Sequence, residues 1–170
     1  MINSIENEYQ FGKMNGKPLS WSVLSHQDSK ILLLCTHIVS RGPYNLNKMV
    51  VTWEHSTVRN WLNSSFKNTF FSFEELDHVC VTKIKNENNP YNGIFGGQAT
   101  QDAFFLLSIS EVNKYMPHYF NRSIGPEWWL RTPGDREEKA MYIGSDGQRQ
   151  YFGYYVNTVI GIRPAVWVQI

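Results

Sequence analysis

An α+β domain is what the sequence predicts: mostly antiparallel sheets, N- and C-terminal strands together, and two or three short helices in the middle. Three observations lead there. Residues 9–39 and the stretch after 128 carry strand-like patterns bounded by turn residues. Between them, serines followed three residues later by glutamate open short runs of helical period. No repeat, low-complexity tract or linker interrupts the 170 residues, so one domain spanning 1–170 is expected.

Tyr9 to Lys13 is a strand, and Asn15-Gly16 is the dipeptide of a type I′ hairpin turn. Leu19 to Leu24 alternates as the returning strand, and Gln27-Asp28-Ser29 is a second polar turn. Ile31 to Val39 is nearly all apolar, which predicts a central strand buried on both faces. Residues 41–47 are loop by their Gly, Pro and Asn content. Ser56 caps a helix whose Val58, Trp61, Leu62 and Phe66 share one side. Ser72 and Glu75 form a capping box for a helix from Phe73 to about Val79. Residues 86–97 are a surface loop long enough to suspect a function. Phe104 to Leu107 is a short buried strand, and Ser108 with Glu111 caps a helix stopped by Pro117. Trp129 to Arg131, Lys139 to Ile143 and Gln148 to Phe152 are strands, the last two joined through Gly144-Ser-Asp-Gly147. Ile162 to Ile170 is the final strand, with Pro164 expected at an edge or bulge because it has no N–H to donate.

Six Trp, nine Tyr and ten Phe supply a large core, with Trp128, Trp129 and Trp167 expected in it, and 42% hydrophobic content excludes a disordered chain. A net charge of +1 without a basic stripe argues against nucleic acid as a partner. The first eight residues lack the basic and apolar regions of a secretory signal, and the longest apolar run, Ile31 to Cys35, is too short to span a bilayer. A cytoplasmic protein without a membrane partner is the expectation; a phage-associated origin would leave no mark here. Cys35 and Cys80 have apolar neighbours and read as two buried free thiols.

The catalytic signatures are missing: there is no P-loop, nucleophile elbow, dinucleotide fingerprint or HExxH. Cys35 with His37 and His78 with Cys80 have two-residue spacing, which places each pair on one strand face. Core packing explains both pairs, so no metal and no cofactor is expected. Glu74/Glu75 and Glu137/Glu138 are adjacent pairs, of which the first suits a helix's opening turn. The expectation is a non-enzyme, with a site in the 86–97 loop as the enzymatic alternative. Arg131 and Arg163 sit in apolar surroundings near prolines, where an arginine's donors can tie strand and loop carbonyls together. An anion clamp is the other role open to them.

The stretch between Trp128-Trp-Leu-Arg-Thr-Pro-Gly134 and Gly161-Ile-Arg-Pro-Ala-Val-Trp167 differs in composition from its borders. Tyr151, Phe152, Tyr154 and Tyr155 fall within five residues, and neighbours on a strand face opposite ways, so some must point outward. Tyrosine, arginine and asparagine are favoured in recognition surfaces. The candidate ligand-binding residues are Asp135, Arg136, Ser145, Gln148, Arg149, Tyr151, Phe152, Tyr154, Tyr155, Asn157 and Thr158.

Those two bordering motifs carry a resemblance. With Leu19 to Leu24, Thr52 to Asn63, Thr100 to Glu111 and Ser145 to Gly147, they resemble an uncharacterised bacterial and phage family, domain of unknown function 6273. The resemblance covers nearly the whole chain and implies a C-type-lectin-like fold. Some members look like variable proteins of diversity-generating retroelements, whose ligand-binding face is diversified at adenine-rich codons. The slots that this implies are Asp135, Arg136, Gly144, Ser145, Tyr151, Phe152, Tyr154, Tyr155, Asn157, Thr158, Val159 and Ile160. Glu-Pro-Asn, Gln-Pro-Asp and Trp-Asn-Asp, the calcium-dependent lectin signatures, are absent, which argues against calcium-dependent carbohydrate binding. A fold likeness to formylglycine-generating enzymes brings no chemistry, since no cysteine follows Cys80. The expected function is therefore a non-catalytic module binding a protein ligand through 135–160. The alternative is a structural or assembly domain of a phage particle or larger complex, without a diversified site.

Overall fold

A computed structural model describes residues 3–5, by backbone alone, and residues 8–170. Met1, Ile2, Glu6 and Asn7, part of the N-terminal stretch read above for a leader, lie outside the described residues. The architecture is α+β, with mostly antiparallel sheets and short helices. One sheet orders six strands as β1 (Asn3–Ile5), β2 (Glu8–Met14), β3 (Lys17–Gln27), β4 (Lys30–Cys35), β13 (Ala165–Gln169) and β8 (Phe104–Phe105). A second orders β11 (Arg149–Tyr155), β10 (Lys139–Ile143), β9 (Trp128–Pro133), β12 (Ile160–Ile162) and β5 (Ser40–Gly42). A third pairs β6 (Thr82–Ile84) with β7 (Thr100–Asp102).

The first hairpin forms as its turn residues require: Asn15 and Gly16 take φ of 51° and 77°, the left-handed pair of a type I′ turn. β4 is central, between β3 and β13, and Ile31 through Cys35 are all buried. It ends four residues before the expected Val39. There the chain leaves the first sheet, and residues 40–42, of which 41 and 42 were expected to start a loop, pair with β12 in the second.

The expected last strand divides in the same way. β12 belongs to the five-stranded sheet and β13 to the six-stranded one, with Arg163 and Pro164 between them. Pro164 therefore sits at neither an edge nor a bulge but where the chain changes sheets. Its missing N–H leaves the Cys35 carbonyl without a ladder donor, a place the Arg163 Nε takes at 2.7 Å, while its own carbonyl accepts from the Cys35 N–H at 3.0 Å.

The helices exceed the two or three expected. A turn of 3₁₀ helix (Trp53–His55) precedes α1 (Thr57–Trp61), which continues through a π-helical turn (Leu62–Phe66) into α2 (Lys67–Phe70). Ser56 caps it by accepting from the Arg59 N–H, and Val58, Leu62 and Phe66 are buried. α3 (Phe73–Asp77) and α4 (Ile109–Tyr115) both close their capping boxes in both directions. α3 stops before the expected Val79, because Val79 bridges to Val168 and the Cys80 N–H bonds the Trp167 carbonyl. Backbone pairing along β13 outcompetes another helical turn. α5 (Tyr119–Arg122) was not foreseen; it is too short to show a period.

Phe11, Trp21, Phe66, Phe71 and Phe104 form the aromatic centre beside the six-stranded sheet, with ring centroids 4.7–6.5 Å apart. Trp128 and Trp129 are fully buried, as expected, while Trp167 is only half-buried. Both cysteines are free thiols, but Cys80 is half-buried rather than buried, since it lies alongside β13 instead of inside the core. Burial pushes the Cys35 thiol up to about 11. Among the described residues no cluster of three His, Cys, Asp or Glu side chains could hold a metal ion, and no helix is long and apolar enough to cross a membrane.

Asp102 fixes the helical layer. Fully buried, it accepts from Trp53 Nε1 at 2.8 Å, Thr100 Oγ1 at 2.7 Å and Arg59 Nε at 2.7 Å. Asp102→Asn supplies one acceptor oxygen for three donors and is expected to lower stability by about 1–3 kcal/mol. Urea denaturation checks this against Asp28→Asn in the exposed β3–β4 turn, where the change should stay within about 0.5 kcal/mol.

Candidate binding surface

β11 is the edge strand of the five-stranded sheet, and most candidate residues hang from it or from its connections. Its pairing with β10 is irregular: Ala140 faces Tyr154 and Tyr142 faces Gln150, so β11 carries extra residues between the two pairs. Gly153 makes the bulge possible. Its φ is +74°, and a Cβ there would stand 2.4 Å from the Ala140 carbonyl oxygen. The bulge also lets the Asp135 N–H reach the Phe152 carbonyl at 2.9 Å. The loop after β9 is thereby tied to the edge strand.

The four clustered aromatics divide into two kinds. Phe152 is 73% exposed and Tyr155 is 36% exposed. Tyr151 and Tyr154 are partly buried and packed. Tyr151 meets Tyr91 edge to face at 4.7 Å, and Tyr154 stacks on Tyr142 at 4.0 Å while its hydroxyl reaches Glu127 at 3.3 Å. A hydrogen bond with Tyr151 holds the Tyr91 phenol above its ordinary pKa. Tyr155 has the Lys48 ammonium 3.7 Å from its ring centre and the Lys139 ammonium 5.2 Å away. Lys139 in turn pairs with Asp135 at 3.0 Å. Arg136 and Asn157 are exposed; Thr158 is half-buried, its N–H closing a turn to the Tyr155 carbonyl.

Ser145, Gln148 and Arg149 lie apart from these, at the β10–β11 turn. The Ser145 carbonyl accepts from Ser123, and the Arg149 guanidinium donates to the Asn113 side chain on α4. Buried Arg122 locks this end, with Nε on the Gly147 carbonyl at 2.7 Å and Nη1 on Met116 and Pro117 carbonyls at 2.5 and 2.9 Å. The structure thus brings together Asp135, Arg136, Phe152, Tyr155, Asn157 and Thr158, and separates Ser145, Gln148 and Arg149 from them. The candidate residues fall in two groups toward the two ends of β11, with Tyr151 between them.

Two further segments complete the first group. The loop after β5 exposes Leu46, Met49 and Val50, at 69, 50 and 55%, and is pinned by Asn45 N–H to the Val156 carbonyl and Val51 N–H to the Glu137 carbonyl. The 86–97 loop exposes Tyr91 and Phe95. Its buried Asn89 donates to the Pro133 and Gly134 carbonyls at 3.1 and 2.7 Å, and Asn92 reaches the Asp135 carbonyl. Sequence reasoning flagged the 86–97 loop but gave Leu46, Met49 and Val50 no role. Their signal was available: three apolar residues in a stretch whose punctuation denies it a buried strand or helix.

Arg131 and Arg163 both act as ties. Arg131 reaches the Leu106 carbonyl at 2.7 Å and grips both Glu111 carboxylate oxygens at 2.5 and 3.1 Å. Arg163 Nε donates to the Cys35 carbonyl at 2.7 Å, and its guanidinium lies 4.9 Å from the Trp128 ring centre. Burial lowers Arg163 to about 10, still protonated at neutral pH.

Residues 28–170 match the family model described as Domain of unknown function (DUF6273). The chain belongs to this family. No curated protein and no solved structure matches it. The DUF6273 match begins in the β3–β4 turn and contains the whole candidate surface, both bordering motifs and both arginine ties.

The bulge sets the surface, so Gly153→Ala should be felt there. A methyl against the Ala140 carbonyl at a left-handed φ is expected to destabilise by about 1–3 kcal/mol. Thermal melting reads the loss, and amide chemical-shift changes should concentrate at residues 134–135, 140 and 152.

Proposed function

We propose that this DUF6273 domain is a non-catalytic ligand-binding module of C-type-lectin-like fold whose partner is a protein. The observation that carries it is the set of exposed apolar side chains, Phe152 and Tyr155 on β11 and Leu46, Met49 and Val50 on the loop whose Lys48 lies over Tyr155, all on backbone pinned by hydrogen bonds. Apolar surface of this kind on a fixed scaffold marks a partner site. Lys48 and Lys139 around Tyr155, with Arg136 and Asn157 beside it, supply the polar rim of such interfaces. The lectin-like reading is supported by the N-terminal strands pairing directly with the last strand, β4 with β13.

The same face is the reading's candidate for retroelement diversification. Arg136, Phe152, Tyr155, Asn157 and Val159 are exposed slots whose replacement disturbs no core packing, which is the tolerance that a diversified surface needs. Tyr154, stacked on Tyr142, and Ile160, buried in β12, have less freedom to vary. Contact is therefore expected through the first set.

Affinity capture followed by mass spectrometry tests the reading with wild type, Phe152→Ser, Tyr155→Ala and Phe73→Ser. Phe73 is 91% exposed on α3 and serves as a control for lost surface hydrophobicity. A captured protein should be lost with either face variant, kept with Phe73→Ser, and all four melting temperatures should agree within a few degrees, as for surface changes of about 0.5 kcal/mol. Equal capture by every variant would sink the assignment.

A further inference from the structure

Arg163 is anomalous beside Arg131. Both are buried to about the same degree, yet Arg131 has a carboxylate partner, whereas among the described residues Arg163 meets only the Cys35 carbonyl and the Trp128 ring. Among the described residues no carboxylate pairs with Arg163. The Cys35 thiol beside it, held neutral by burial, supplies no negative charge. Nη1 is buried without a hydrogen-bond partner. A buried cation without a counter-charge is costly, and cation–π contact offsets only part of that cost.

Arg163 lines a cavity of about 240 Å³ between β3, β4 and the α4–α5 connection. Its polar lining includes Ser22 and Asn121, whose side chains make no hydrogen bond within the described protein. The rest is largely apolar, with Leu34 and Met116, and Leu34 is the cross-strand partner of Ser22 on the same face of the sheet. Leu34 and Met116 are buried and Asn121 is exposed, so the cavity opens to solvent on the α5 side. Its volume is below the roughly 300–1,000 Å³ of sites for drug-sized ligands, which restricts the occupant to a small group.

We propose that this cavity binds a carboxylate carried on a short apolar group, with Arg163 as its counter-ion and Ser22 and Asn121 as hydrogen-bond donors. The carboxylate supplies the missing negative charge, and the apolar group fills the space against Leu34 and Met116. The same chemistry is presented by a free short-chain carboxylic acid and by the C-terminal residue of a polypeptide. The cavity shares no residue with the exposed aromatic face, so it does not depend on the protein-binding proposal.

Isothermal titration calorimetry at constant ionic strength tests it with sodium butyrate, butyramide, Gly-Gly-Leu and Gly-Gly-Leu amide. Saturable binding is expected for a carboxylate form, at least about thirtyfold tighter than its amide, the low end for truncating one partner of a buried charge pair. Butyrate binding assigns the site to free acids; Gly-Gly-Leu binding without butyrate assigns it to a chain terminus. Arg163→Gln should abolish the binding and Asn121→Ala should weaken it several-fold. Asn121 is exposed, so that variant keeps the test open if Arg163→Gln does not fold. Failure of both carboxylates to bind, equal affinity for acid and amide, or unchanged affinity in Asn121→Ala overturns the proposal.

Discussion

The structure depends on one crossing, where two antiparallel chain segments pass together from one sheet to the other. Residues 30–42 run from β4 into β5, and residues 160–169 run from β12 into β13. Cys35 N–H to the Pro164 carbonyl and Val39 N–H to the Ile162 carbonyl keep the two in register across the gap. Arg163 lies at the crossing and bonds the Cys35 carbonyl, a group the ladder leaves free. A backbone passing between sheets must satisfy its polar groups somewhere, and here proline, arginine and the opposing strand do it.

The crossing also brings the two bordering motifs together. β12 lies beside β9 in parallel, with Gly161 opposite Trp128 and its N–H on the Glu127 carbonyl. A Cβ on Gly161 would stand 2.4 Å from the Ile38 side chain, so nothing larger than glycine fits without movement. Trp128 and Trp129 are consequently buried on both sides of the sheet, and between the two motifs β10 returns beside β9 while β11 and the connecting loops lie at its edge. Rigid ends and a variable-looking middle follow from the same packing.

Buried polar groups hold the surface loops to this scaffold. Asn89 anchors the 86–97 loop to the end of β9, Arg131 joins β9 to the capping glutamate of α4, and Arg122 clamps the β10–β11 turn. Each is nearly fully buried and bonds backbone carbonyls that would otherwise be left without donors. The exposed aromatics therefore stand on loops whose backbone is fixed, which lowers the entropy lost when a partner binds.

Local chemistry was legible in the sequence. Asn15-Gly16 fixed a turn, Ser56 a cap, Ser72–Glu75 and Ser108–Glu111 two capping boxes, and Ile31 to Cys35 a central strand, because each is decided by neighbours within a few residues. The burial of Trp128 and Trp129 and the tying role of Arg131 and Arg163 were also readable from residue type. What the sequence alone did not decide involved partners far along the chain. The switch of sheet at Val39 and Pro164, the early end of α3, and the tying of Arg149 to α4 all depend on contacts between distant segments. Strand alternation says that some of Tyr151, Phe152, Tyr154 and Tyr155 face outward; only the bulge at Gly153 and the rings of Tyr91 and Tyr142 decide which.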